Sequence, residues 1–329
     1  MKVLVTGAAG FIGMHLALRL RRDGADVTGV DNFSPYYDVA LKRARTGELA
    51  AAGVRCEAMD LVDMASARAL IADNGFTHVA HLAAQPGVRY SLIDPAAYWR
   101  NNIDAFGSVL EACRHARVAH LVYASSSSVY GANHALPFSE DQNVDHPVSL
   151  YAATKKADEL MAYSYSHLYA LPATGLRFFT VYGPWGRPDM APMIFTRAIL
   201  AGEPIQVFNH GDMQRDFTYV DDIVEGVARV LLLPPRPAPP TGAPHALYNI
   251  GNHRAVGLEE FIAELERLLG RRAVKQYLPL QPGDVRATYA AIDRIRQATG
   301  FVPKTALREG LERFVAWYRA YYRGERGGA

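Results

Sequence analysis

The chain has 329 residues, half of them apolar, and 35 Lys and Arg against 33 Asp and Glu leave a net charge of +2. That length exceeds an ordinary single domain, so one large domain with an appended lobe, or two domains, is expected. The balanced charge argues against nucleic-acid and membrane-surface partners, two cysteines (Cys56, Cys113) against a disulfide framework or cysteine-rich metal site, and the lack of a long apolar run against a membrane span.

Lys2–Thr6 is a short apolar run, followed by Gly7-Ala8-Ala9-Gly10-Phe11-Ile12-Gly13 and an apolar-periodic segment to about Arg22. The pattern predicts strand, glycine turn and helix. A strand beginning at the second residue leaves no room for a signal peptide, and a soluble, cytoplasmic protein is expected. The alternation continues with strands at 26–31, 54–59, 77–82, 119–124 and 174–179, and helices near 39–52, 63–74, 95–117 and 150–169. Strands separated by helices of this length imply right-handed crossovers. The expected fold is therefore α/β, a Rossmann-type doubly wound parallel sheet covered on both faces.

After Thr180 the character changes. Gly183-Pro184-Trp185-Gly186-Arg187-Pro188-Asp189 is rich in turn residues, and strands and helices no longer alternate cleanly. A strand at 217–220 feeds a helix opened by Asp221-Asp222 and running to Leu233, and this part is expected to return to the sheet. Residues 234–244 carry five prolines in their first seven positions and read as an extended surface spacer. Helices follow near 258–269 and 307–322. The second has an aromatic face (Phe314, Trp317, Tyr318, Tyr321, Tyr322) that suits packing in a second lobe better than a membrane surface. The expected division is a large domain of 1–179 plus about 213–247, and a smaller C-terminal α/β lobe of about 180–212 plus 248–329.

Gly7, Gly10 and Gly13 are spaced GxxGxxG between a strand and a helix. Glycine permits the tight turn and lets the backbone approach a pyrophosphate, while the helix N-terminus, with Phe11 and Ile12, offers free amides to phosphates. A tight βα turn without a ligand is the plain alternative. Asp31 ends the second strand, 18 positions past Gly13, where a carboxylate accepts from a ribose diol and repels a 2′-phosphate, so NAD is favoured over NADP. Helix capping is its plain alternative. Asn32 adjoins it, Asp60 and Leu61 flank the adenine position, and Leu82-Ala83-Ala84-Gln85 ends the fourth strand with residues that let a dinucleotide pass. His15 and His81 read as packed or solvated.

Tyr151 and Lys155 in Tyr151-Ala152-Ala153-Thr154-Lys155 lie one turn apart on one helix face. A cation beside a phenol favours the phenolate, which makes Tyr151 a candidate general base that later returns its proton. A surface pair on an amphipathic helix is the alternative. The run Ser125-Ser126-Ser127-Ser128 lies upstream, where its hydroxyls either serve chemistry or satisfy loop backbone.

Taken together, the glycine turn, the serine run and Tyr151-x-x-x-Lys155 resemble the extended short-chain dehydrogenase/reductase family of nucleotide-sugar enzymes (NAD-dependent epimerases and dehydratases). Within it, Asp31-Asn32-Phe33 with Tyr36-Tyr37-Asp38, Gln85-Pro86-Gly87-Val88-Arg89-Tyr90-Ser91, and Phe178-Phe179-Thr180-Val181-Tyr182-Gly183-Pro184-Trp185-Gly186-Arg187 look like the UDP-glucuronate 4-epimerases. The resemblance implies Ser126, Tyr151 and Lys155 as the catalytic set, Asn102 as an NAD contact, and uridine diphosphate held by groups near Val207, by Arg215 and by Asp284. It further implies tightly bound NAD regenerated in every cycle, a UDP-sugar substrate in the smaller lobe, and a homodimer through a four-helix bundle of helices near 95–117 and 150–169. Pro86, where a small residue such as alanine is expected, departs from the pattern without removing a chemical group.

The implied reaction is C4 epimerisation of UDP-glucuronic acid to UDP-galacturonic acid through a transient 4-keto sugar. A 4,6-dehydratase needs an acid and a base beside the hydroxyl residue, and here those positions are Ser127 and Ser128. A decarboxylase differs less, because the 4-keto sugar is a β-keto acid. An epimerase has to hold the carboxylate out of alignment with the carbonyl, and Arg187, Thr180 and Arg89 are the candidates, with Ser127 beside the sugar. Arg187 pairing with phosphate or a surface acid is the alternative. UDP-glucose/UDP-galactose epimerisation, and outside enzymes an NAD-binding redox-sensing regulator, are the other readings. No metal is expected.

Overall fold

The structure, a computed structural model, describes residues 1–237, 239, 241–281 and 284–326. Of the proline-rich stretch at 234–244, Ala238 and Pro240 lie outside the described residues. The strands in chain order are β1 (Lys2–Thr6), β2 (Asp26–Asp31), β3 (Arg55–Ala58), β4 (His78–His81), β5 (His120–Ser126), β6 (Ala173–Phe178), β7 (Thr180–Tyr182), β8 (Pro204–Phe208), β9 (Gln214–Tyr219), β10 (His245–Ile250), β11 (Ala255–Gly257) and β12 (Val274–Leu278).

Seven of them form one sheet in the order β10-β6-β5-β4-β1-β2-β3, with every pairing parallel. Successive side chains of a strand enter opposite faces, and here both faces are apolar. Val3 and Val5 join one core cluster while Leu4 joins the other; Val122 joins the first while Leu121 and Tyr123 join the second. That near-continuous apolar reading of β1 and β5 is what a doubly covered parallel strand requires, and the expected fold class is borne out.

Helix ends follow local chemistry. Asp63 accepts from the amides of Ala65 and Ser66 at the start of helix Met64–Asp73, and Ser149 accepts from the Ala152 amide at 3.1 Å to open helix Leu150–Tyr169. The helix expected at 95–117 is interrupted. It runs as Pro95–Tyr98, a π-helical turn at Trp99–Asp104, and Ala105–Ala116.

The strand near 217–220 differs from expectation. β9 does not enter the large sheet; it lies between β7 and β11 in a three-stranded sheet, parallel to the first and antiparallel to the second. It is the following helix, Val220–Leu231, that returns, packing on helix Phe11–Arg22, and β10 then pairs with β6 out to Ile250. The boundary expected at about 247 thus falls inside a strand. β8 and β12 form a separate parallel pair.

His81, His120 and His245 are held as neutral rings. Burial pushes His81 down to about 3, with the Lys155 charge adding to it. Burial likewise brings His120 and His245 down to about 4. An unfolded histidine takes up its proton near pH 6.5, so between there and about 4 the unfolded state binds more protons, and stability falls as pH falls. His120 donates from Nδ1 to the Leu231 carbonyl and accepts from Thr174 Oγ1. Relative to a His120→Gln variant, the wild-type chain should lose up to about 1.4 kcal/mol per pH unit below 6.5. Denaturant titrations of both proteins at pH 7 and pH 5 check this; a constant difference would contradict it.

Candidate active site

The winding of the sheet reverses between β1 and β4, and at the carboxyl ends of the strands there lies a cleft of about 460 Å³. This is where open α/β sheets take ligands. Its floor is the turn after β1. Gly7 has φ +67°, and a Cβ there would stand 2.8 Å from the Ala83 amide nitrogen. At Gly10 and Gly13 a Cβ would meet the Gly7 carbonyl oxygen at 2.8 and 2.1 Å. No side chain fits at these positions, so the turn packs backbone on backbone and leaves an open cradle at the helix N-terminus. Phe11 and Ile12 line the cleft with the three glycines. Thr6 Oγ1 accepts from the amides of Leu82 and Ala83 at 3.1 Å each, fixing the far wall, which continues through Ala84 and Gln85.

Asp31 lines the cleft beside Asn32. Its Oδ2 accepts from the Ala9 amide at 3.2 Å and its Oδ1 from the Phe33 amide at 2.8 Å, so the same carboxylate ties down the glycine turn. Lys42 Nζ lies 3.5 Å from Oδ1, with both side chains buried. Lys42 went unread in the sequence. Its signal is a lysine in the first helical turns after an acidic strand end, and it offsets part of the charge from which NAD was favoured over NADP. Asp60 and Leu61 border the cleft; Asp60 accepts from Arg100 Nη2 at 2.8 Å. Asn102 does not line the cleft. Buried on the π-helical turn, its Oδ1 accepts from the Gln85 amide at 2.7 Å, and its Nδ2 donates to the Gln85 carbonyl and to Thr154 Oγ1. It therefore sits behind the wall that Gln85 presents.

Ser126, Ser127, Tyr151 and Lys155 come together in the cleft. Ser126 ends β5, accepting from the Ser128 amide at 3.1 Å and donating to Ser128 Oγ at 3.2 Å. Tyr151 packs edge-on against Tyr98, whose hydroxyl donates to the Pro86 carbonyl at 2.8 Å. Lys155 Nζ donates to the Ala124 carbonyl and to Asp158, at 3.0 Å each.

On the opposite wall stand Thr180 and Arg187. The Arg187 fork closes on Asp189 through Nε at 3.0 Å and Nη2 at 2.6 Å, and Asp189 also accepts from the Tyr36 hydroxyl at 3.0 Å. Burial opposes the Arg187 charge, but the Asp189 carboxylate outweighs it and holds the guanidinium above its ordinary range. The loop carrying Arg187 is itself tied to the cofactor side. His15 meets the Pro184 carbonyl at 3.0 Å, and the fully buried Arg45 donates to the carbonyls of Trp185 (2.7 Å) and Ala9 (3.0 Å). Arg45 also went unread, since nothing local marks a partner 140 positions away.

Arg89, Arg215 and Asp284 meet at the mouth. Asp284 Oδ2 accepts from Arg89 at 3.0 Å and Oδ1 from Arg215 at 3.3 Å. Only Asp284 of the three lines the cleft itself. The Val207 side chain is buried in the core on β8. Its neighbour Phe208 is the accessible group, with the Arg89 guanidinium 4.6 Å from its ring centre.

Residues 3–251 match the family model described as the NAD dependent epimerase/dehydratase family. The chain belongs to this family. Among relatives, it is 50% identical to protein CapI of Staphylococcus aureus over 98% of this chain and all of that protein. It is 48% identical to UDP-glucuronate 4-epimerase 3 of Arabidopsis thaliana, over 98% of this chain and 77% of that protein. The crystal structure of UDP-glucuronic acid 4-epimerase from Bacillus cereus with UDP-glucuronic acid and NAD superposes with a TM-score of 0.89 at 34% identity, covering 98% of this chain and all of that one. The residues of this epimerase/dehydratase site fit the family's dinucleotide: three positions where a Cβ has no room form the phosphate cradle, and a carboxylate stands at the end of β2.

Proposed function

We propose that this chain is an isomerase, a UDP-glucuronate 4-epimerase that interconverts UDP-glucuronic acid and UDP-galacturonic acid with NAD held throughout. The observation that carries the reading is the convergence of Tyr151, Lys155, Ser126 and Arg187 on one cleft with the glycine cradle. NAD, when bound, accepts and returns the hydrogen of sugar C4. Gly7, Gly10, Gly13 and Asp31 hold it by its pyrophosphate and adenosine ribose. Tyr151 removes the proton from the 4-hydroxyl and later returns it, Ser126 orients that hydroxyl, and the Lys155 charge favours the phenolate. Because Ser127 and Ser128 carry no acid or base suited to neutral pH, dehydration does not compete.

Arg187 with Thr180 takes the sugar carboxylate, and Asp189 keeps the guanidinium in place until the substrate arrives. Arg215, Asp284 and Phe208 of the smaller lobe, built on the β7–β9–β11 sheet and the β8–β12 pair, hold the uridine diphosphate together with Arg89 of the large domain. The protein acts in the cytoplasm on a free nucleotide sugar; among the described residues no helix is long and apolar enough to cross a membrane. A homodimer through helices near 95–117 and 150–169 is supported by Trp99, Leu160 and Leu168, large apolar side chains left exposed there.

Incubation with UDP-glucuronate followed by sugar analysis tests the reading. Galacturonate is expected. A pentose would make the protein a decarboxylase, a 4-keto product a dehydrogenase, and no reaction on this substrate but turnover of UDP-glucose would move it to the neutral-sugar epimerases. Light scattering at micromolar concentration should give the mass of a dimer.

A further inference from the structure

Lys155 has a partner that the reaction does not call for. On helix Leu150–Tyr169, Tyr151, Lys155 and Asp158 stand at positions i, i+4 and i+7 and therefore share one stripe. Lys155 and Asp158 are joined at 3.0 Å with each side chain only 3% exposed. The other carboxylate oxygen, Oδ1, is buried with no hydrogen-bond partner among the described residues. An unpartnered buried carboxylate oxygen is costly, and an apolar residue at 158 would avoid that cost.

We propose that Asp158 is a positioning residue for the catalytic pair: it anchors the Lys155 ammonium and sets how much of that positive charge reaches Tyr151. The inference rests on the assignment of Tyr151 and Lys155 given above. The surroundings leave this task to Asp158. On the same helix, Glu159 is taken by Arg177 of β6 through two hydrogen bonds of 2.8 Å and by Ser125 at 2.7 Å, with Lys156 at 3.9 Å. From β4, His81 is a neutral ring hydrogen-bonded to Thr6. From β5, Tyr123 is held in its neutral form by burial and by Glu159 and Asp158, and its hydroxyl meets His245 of β10 at 3.0 Å. Tyr98 offers Tyr151 a ring edge, and Glu111 of helix Ala105–Ala116 is occupied by Arg114, His115 and Tyr165. Asp158 is thus the one carboxylate hydrogen-bonded to Lys155 among the described residues. Burial pushes it up to about 6 against the pull of Lys155, so it carries its charge at neutral pH and gives it up in mild acid.

The sign follows. An anion two helical turns from Tyr151 opposes the phenolate and cancels part of the help from Lys155. At about 10 Å and an effective dielectric near 20, its removal corresponds to about one pH unit. Asp158→Asn keeps the shape and removes the charge; Asp158→Glu keeps the charge. In Asp158→Asn the acid limb of kcat/KM should move down by about one unit. The tyrosinate absorbance that Tyr151→Phe removes should move with it in the NAD-bound protein, while Asp158→Glu leaves both near the wild-type position. A lower rate with both limb and absorbance unmoved in Asp158→Asn would reduce Asp158 to packing and overturn the proposal. Should Asp158→Asn fail to fold, an absorbance titration of Asp158→Glu that departs from wild type by as much as one unit would overturn it as well. Full activity in Tyr151→Phe would instead remove the assignment beneath it, so the two failures are distinguishable.

Discussion

Tyr151→Phe should lower epimerisation by roughly 10²- to 10⁴-fold while NAD and UDP binding persist. The change deletes one hydroxyl and leaves the ring that packs edge-on against Tyr98. The glycine cradle, Asp31 and the Arg89–Asp284–Arg215 cluster lie on other elements and are untouched. Fold and binding are therefore expected to survive. Turnover of UDP-glucuronate, followed with nucleotide retention by gel filtration, separates the effects. Retained turnover in this variant would remove Tyr151 as the base. Loss of turnover together with loss of the dinucleotide would mean that the phenol holds the cofactor instead.

The second large effect is expected at Arg187. A charge-assisted hydrogen bond to a carboxylate is worth about 1.5–3 kcal/mol, or roughly 10- to 150-fold in rate or affinity. Arg187→Ala should cost that much on UDP-glucuronate and far less on binding of UDP-glucose, which has no carboxylate to lose. The 4-keto acid would then be free to align its carboxylate bond with the carbonyl, and UDP-pentose should appear among the products. The Asp189 partnership sharpens this expectation. Arg187→Ala leaves Asp189 beside the incoming carboxylate with a hydrogen bond from the neutral Tyr36 hydroxyl and no cation paired to it among the described residues, so like-charge repulsion adds to the loss. Paired with Asp189→Asn, the variant should recover part of its UDP-glucuronate turnover. Equal losses on both sugars would take the carboxylate role away from Arg187.

Much of this architecture is legible in the chain because its determinants are local. β1 and β5 read as strands from their apolar runs, the turn at Gly7–Gly13 from its glycines, and the shared helix face of Tyr151 and Lys155 from their spacing, with their catalytic reading resting on the resemblance of the whole set. The features that escape depend on distance. β9 looks like another strand of the large sheet, but its partners β7 and β11 lie about 40 positions to either side, out of reach of any local pattern. The π-helical turn at Trp99–Asp104 has no sequence mark; it shows only in the way Asn102 reaches Gln85. Helix Ala191–Ala201 is hidden behind turn residues and opened by Pro192 near its first position. Arg45 and Lys42 look like ordinary charges on an amphipathic helix until the fold sets one against the Arg187 loop and the other against Asp31. The Val207 side chain lies in the core, so any contact near it falls to the backbone and to neighbours such as Phe208.

The central claim is that C4 is oxidised and reduced within one closed site, by the tyrosine and the bound dinucleotide together. UDP-glucuronate carrying deuterium at C4 tests it most directly. The account predicts UDP-galacturonate with the deuterium still on C4 and no hydrogen from the solvent in its place. Product with the label washed out, or moved to another carbon, would contradict it.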